Sequence, residues 1–166
     1  MHITKTLSAL LLAPLLHADW ALLDNMESGN NWIGEGLIVP DPSNPADQVY
    51  SVNNTGAKLV TYLPLTTVIP EGTTATLFFR FRSSDNVGLA DWVVGASDVV
   101  APVDWPDYEG YVRISEDGTV GDIDLDARNG GGFTEVGGVT SDTWINVWLV
   151  LDNSNDTTDV YFNTSA

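Results

Sequence analysis

The sequence contains no cysteine, and its two histidines, His2 and His17, both fall within the first eighteen residues. Without cysteine the fold has no disulfide and rests on packing alone. With histidine confined to the N-terminus, the rest of the chain lacks the usual general base, the usual zinc ligand and the base of a serine triad. Basic residues are scarce too, 6 against 23 acids, for a formal charge of -17. Nucleic acid needs Lys and Arg to neutralise phosphate, so this balance argues against it and against anionic membrane surfaces. Neutral polysaccharide, cations and basic partners are compatible with the charge, and so is the plain solubility of an acidic surface. No Gly-x-Ser-x-Gly elbow and no phosphate loop occurs. The apolar run Leu7-Ser-Ala-Leu-Leu-Leu-Ala-Pro-Leu-Leu16 spans about ten residues, where a membrane helix needs roughly twenty.

That run follows Lys5 and precedes His17-Ala18-Asp19, the layout of a secretory signal peptide. Residues 1–18 are therefore expected to be a signal peptide and residues 19–166 one secreted, extracellular domain with no membrane insertion. About 150 residues suffice to bury a core. No linker, internal repeat or low-complexity tract divides them. Asn53, Asn155 and Asn163 each open an Asn-x-Ser/Thr triplet, which matters only in a eukaryotic secretory pathway.

What the chain has is strand patterning. In Trp144-Ile-Asn-Val-Trp-Leu-Val-Leu151, Trp144, Asn146, Trp148 and Val150 share one face and Ile145, Val147, Leu149 and Leu151 the other. Both faces carry large apolar groups, so the strand is expected to be covered on both sides in a two-sheet sandwich. Thr74 to Arg82 alternates Leu77, Phe79 and Phe81 against Phe78, Arg80 and Arg82. Tyr111 to Ser115 and Asp122 to Arg128 likewise divide apolar from charged. Further strands are expected at 21–26, at Trp32-Ile33, at 48–52 and at 58–63. Residues 39–47, rich in Pro and Asp, read as a surface loop, with turns at 116–119 and 129–132. No segment has a convincing helical period. The chain ends just after a strong strand, so the sandwich is expected to lack one or two closing strands or to complete its sheet in another way.

Three constellations can carry chemistry. The first is the row Asp122, Asp124, Asp126 with Arg80, Arg82, Arg113 and Arg128 expected on the same face. It reads either as a groove floor gripping sugar hydroxyls or as a cross-strand ion network. Its spacing matches the Glu-x-Asp-x-Glu strand motif of laminarinase-type glycoside hydrolases. Asp stands where both reacting residues would be Glu, though, and each shortened side chain misplaces its carboxylate. The second is Val100-Ala-Pro-Val-Asp-Trp-Pro-Asp-Tyr-Glu109 with Trp92. Pro102 and Pro106 stiffen a loop that presents Trp105 and Tyr108, flat rings suited to the apolar face of a pyranose, with Asp104 and Asp107 to accept its hydroxyls. The alternative is that Trp105 caps the core. The third is a pair of acidic loops, 152–159 and Glu116-Asp117 with Asp122, either of which offers oxygens to Ca²⁺ or simply forms an Asx-type turn.

Thr76-Leu-Phe-Phe-Arg-Phe-Arg82, Tyr111-Val-Arg-Ile114, Asp124-Leu-Asp-Ala-Arg-Asn-Gly-Gly-Gly-Phe133 and Thr143-Trp-Ile-Asn-Val-Trp-Leu-Val-Leu-Asp152 together resemble the strand order of concanavalin A-like, laminin G-type jelly-roll domains. The resemblance implies an all-β, two-sheet antiparallel jelly roll and a secreted glycan-binding or adhesive module. The family's calcium ligands cannot be placed on these residues. The expected function is lectin-like binding without catalysis, at Trp92, Trp105, Tyr108, Arg80, Arg113, Asp124, Asp126 and Arg128. The alternatives are a polysaccharide hydrolase or lyase working from paired carboxylates or from Tyr111 and Arg113, and a structural module without a small ligand.

Overall fold

The computed structural model describes residues 20–27, 29, 31–53, 59–65, 68–84, 91–116, 122–129 and 131–164; the expected signal peptide and Asp117 lie outside them. Along the described chain the strands are β1 (Ile33–Gly34), β2 (Leu37–Pro40), β3 (Gln48–Ser51), β4 (Thr61–Tyr62), β5 (Thr74–Phe81), β6 (Asp91–Ala96), β7 (Gly110–Glu116), β8 (Asp122–Asn129), β9 (Gly132–Thr140), β10 (Ile145–Asp152) and β11 (Thr157–Thr164). Among the described residues the only helical element is a 3-10 turn at Trp105–Asp107.

Two antiparallel sheets make a β-sandwich: a four-stranded meander ordered β6-β7-β8-β9 and a three-stranded sheet ordered β11-β10-β5. Alternation decides which side chains meet between them. Val112, Ile114, Ile123, Leu125 and Val139 from the first sheet pack on Ile145, Val147, Leu149 and Leu151 of β10 in one buried cluster. Leu77, Phe79, Phe81, Trp92, Val94, Val160 and Phe162 close its margins. Each fully buried Leu or Ile contributes about 1.5–3 kcal/mol, so this layer holds the sheets together without disulfides.

A smaller N-terminal unit pairs β1 with β4 and β2 with β3. Tyr50 stacks on Trp32 at 4.9 Å, and its hydroxyl shares a 2.7 Å hydrogen bond with Thr61 Oγ1. The unit is tied to the sandwich by Trp144, whose Nε1 donates to Ser43 Oγ at 2.6 Å and to Asp41 Oδ1 at 3.3 Å. Asp41 is buried, and its carboxyl is held below the usual range mainly by the Ser43 hydroxyl.

Several expectations need correction. Residues 21–26 form no strand, because Asp24 Oδ1 takes the Met26 N–H and Asn25 Oδ1 takes the Glu27 N–H, turning the backbone on itself. The loop expected from Val39 starts after β2, which reaches Pro40. Three strands escape the pattern: β2, β6 and β9, the last with its alternation blurred by Gly137-Gly138 and a bulge opposite Leu125 and Asp126. Among the described residues only one face of β10 joins the core: Trp148 and Val150 point to the outer side of the three-stranded sheet and are half-buried.

Candidate functional site

On the outer face of the four-stranded sheet, register places Gly95 opposite Tyr111, Arg113 opposite Asp126, and Arg128 opposite Phe133. Tyr111 is only 2% exposed although no second sheet lies over it. Its seat exists because Gly95 has no side chain; a Cβ there would overlap the Gly110 carbonyl and Tyr111 itself. Around it, Tyr108 and Phe133 meet its ring edge-on at 6.4 and 6.0 Å, and Arg128 lies over it at 5.6 Å. Arg128 also lies over Trp105 at 5.7 Å, and Trp105 tilts against Phe133 at 6.2 Å.

Arg113 crosses the Phe133 ring at 4.8 Å and pairs with Asp91 at 2.9 Å and with Asp126 at 3.9 Å. Asp126, 7% exposed, accepts from Ser115 Oγ at 2.6 Å. These charges are satisfied within the face. They make a rigid floor, and the aromatic rings with the Arg128 guanidinium lie above it.

The roof is the segment 97–109, fixed by its own short-range hydrogen bonds. Asp104 caps the 3-10 turn by accepting from Trp105 N at 2.8 Å, and Asp107 Oδ2 accepts from Val103 N and Asp104 N at 2.7 and 3.0 Å. Ser97 Oγ donates to the Asp107 carbonyl, and Glu109 N donates to Ala96 O at 3.1 Å, tying the roof to β6. The carboxylates expected to accept sugar hydroxyls thus serve the loop. Trp105 is left 47% exposed on a stiff support. Tyr108 is half-buried, and burial, then Asp107, pushes its hydroxyl above its ordinary value.

Beside the cluster a cleft of about 410 Å³ opens at the end of the sandwich, lined by Glu109, Tyr111, Arg128, Asp156, Thr157 and Thr158 among others. The Tyr111 hydroxyl is buried with no hydrogen-bond partner among the described residues, which costs about 1–3 kcal/mol. Partial burial, then Asp98 and Asp156, pushes the Glu109 carboxyl above its ordinary value. The lining offers carboxylates, hydroxyls and a guanidinium, the set that a hydroxyl-rich molecule uses.

Of the residues expected to bind, Trp105, Tyr108, Arg113, Asp124, Asp126 and Arg128 share this face and roof. Trp92 does not: opposite the buried Ile114, it packs against the core. Arg80 does not either, because β5 pairs with β10 in the other sheet, where Arg80 lies over Trp144 at 4.8 Å. Arg82 is likewise in the other sheet's neighbourhood, paired with Asp142 at 2.9 Å. Asp152 accepts from Ser154 N, Ser154 Oγ and Asn155 Nδ2, so the 152–156 loop is an Asx-stabilised hairpin turn. Among the described residues no three His, Asp or Glu side chains gather as a metal needs. Sequence reasoning missed Phe133 and Gly95 as parts of the site. A lone Phe after a triple glycine was the available signal for the first; nothing marked the second.

No protein-family model matches this chain, and no curated protein or solved structure matches it either.

Proposed function

We propose that this protein is a secreted, non-catalytic carbohydrate-binding β-sandwich of the concanavalin A-like, laminin G-type kind. The observation that supports it most is the pairing of an exposed, rigidly mounted Trp105 with a hydroxyl-and-carboxylate cleft beside it. A pyranose has an apolar C–H face and a polar rim. Trp105 meets the face, and Arg128 and Glu109 meet the rim. A charge of -17 repels acidic polymers, so the ligand is a neutral glycan. The test is a glycan array probed with the full chain and with Trp105→Ala, each with and without calcium. Binding that disappears in the variant supports the proposal; a folded wild type that binds no glycan refutes it. Binding that depends on calcium adds a metal to the site.

One observation favours polysaccharide hydrolysis as a second reading: Glu109 and Asp156 line the same cleft, and Glu109 is held toward its protonated form. In that reading Glu109 protonates the leaving oxygen while Asp156 activates a water or attacks the sugar. Release of reducing ends by the wild type, abolished in Glu109→Gln, would establish it. Binding without turnover would remove it.

A further inference from the structure

A second aromatic surface lies on the opposite side of the molecule. Phe78, Trp148 and Tyr161 sit directly opposite one another across β5, β10 and β11, all on the outer side of the three-stranded sheet. Their strands are spaced by about 4.8 Å, so the rings form a short ladder perpendicular to the chain direction. Phe78 and Trp148 lie with centroids 5.1 Å apart and planes tilted by 39°. Phe78 is 40% and Tyr161 57% exposed, unlike the core-facing Phe79 and Phe162 beside them in sequence, which pack against the core.

The neighbouring rows define what can lie there. On one side the same face carries Arg80, Asn146 and Asn163, with Asn146 Nδ2 donating to Asn163 Oδ1 at 2.8 Å. On the other it carries Thr76, Val150 and Asp159. The apolar strip is therefore narrow, extended on one side only by Val150, and edged by amide, hydroxyl, guanidinium and carboxylate groups. A protein partner needs about 800 Å² per side with a broad apolar centre, which such a strip does not offer. An extended sugar chain presents the matching profile, a narrow C–H face edged by hydroxyls. With one arginine and one aspartate, the strip is also locally neutral in a chain of charge -17, where an uncharged polymer meets no field.

We propose that Phe78, Trp148 and Tyr161 form a second platform, which takes an extended, uncharged polysaccharide laid across the strands. It deepens the carbohydrate reading and depends on it. The experiment is retention of the full chain on insoluble neutral polysaccharides (cellulose, chitin, mannan), comparing wild type with Tyr161→Ala, Trp148→Ala and Trp105→Ala, each shown folded by circular dichroism. Tyr161 is exposed enough that its truncation leaves the fold intact even if Trp148→Ala does not. Retention weakened about fivefold or more in Tyr161→Ala, with part of it surviving in Trp105→Ala, supports the platform. Wild-type retention in Tyr161→Ala and in folded Trp148→Ala, together with full loss in Trp105→Ala, overturns the platform and leaves the first site standing. A wild type retained by none of these polymers overturns both. A wild-type dimer dissociated by Tyr161→Ala in light scattering, with retention unchanged, assigns the face to self-association and also overturns the platform.

Discussion

The two outer faces of the sandwich use similar residues to opposite effect. On the four-stranded sheet, Tyr111 is 2% exposed under a 3-10 roof and beneath Arg128; on the three-stranded sheet, Tyr161 is 57% exposed. Both are tyrosines on outward-facing strand positions, so alternation cannot tell them apart. What differs is a loop. The segment 97–109 folds over β7 because Asp104 and Asp107 cap its turn and Glu109 N binds Ala96 O, whereas β10 and β11 are joined by a tight turn held by its own hydrogen bonds. A sheet face becomes an interior when a connection covers it.

Truncating both tyrosines tests that contrast most severely. Tyr111→Ala is expected to cost about 3–5 kcal/mol, as removal of a buried aromatic does, and Tyr161→Ala no more than about 0.5 kcal/mol, both read by urea unfolding. Equal costs would end the distinction. Next in size, Asp126→Ala strips the partner from Ser115 and Arg113 in the floor and is expected to cost about 1–3 kcal/mol. Tyr111→Phe sharpens the argument further. The hydroxyl has no partner among the described residues, so its removal is expected to be neutral or stabilising by up to about 1 kcal/mol. Loss of stability instead would mean that the hydroxyl is bonded within the protein.

The smallest effect concerns the turn that leaves the second face bare. Asp152 is held down to about 2, below the ordinary carboxylate range, by hydrogen bonds from the Ser154 and Asn155 side chains. A lowered carboxyl stabilises the fold above its unfolded value and loses that contribution as pH falls through the folded one. The Ser154 amide should therefore lose hydrogen-exchange protection between about pH 4 and pH 2 in the wild type. Asp152→Asn, which keeps an acceptor without a titratable group, should show no such step.

The alternation of Val112 with Ile114 and of Ile123 with Leu125 made the all-β class and the inner core readable, because burial on one face imposes period two. β9 was not readable: Gly137 is needed where Phe162 approaches and a bulge breaks the period, so packing overrode pattern. Trp92 illustrates the limit for the site. It was grouped with the 100–109 loop, but the pairing of β6 with β7 turns it inward, and that pairing is not encoded locally. Arg80 looked equivalent to Arg113 and Arg128 for the same reason: strand composition identifies an outward arginine without saying which sheet it joins. Trp105 was readable because its own loop, with Pro106 and two capping aspartates, carries the information.

The most direct test of the roofed face follows the tryptophan indole N–H signals by NMR while neutral oligosaccharides are titrated into the full chain. Binding there predicts that the Trp105 signal moves, together with the Tyr111 and Phe133 ring signals, while the core-packed Trp92 stays put. A titration in which saccharide binds and Trp105 does not respond, or in which no saccharide shifts any signal, would contradict it.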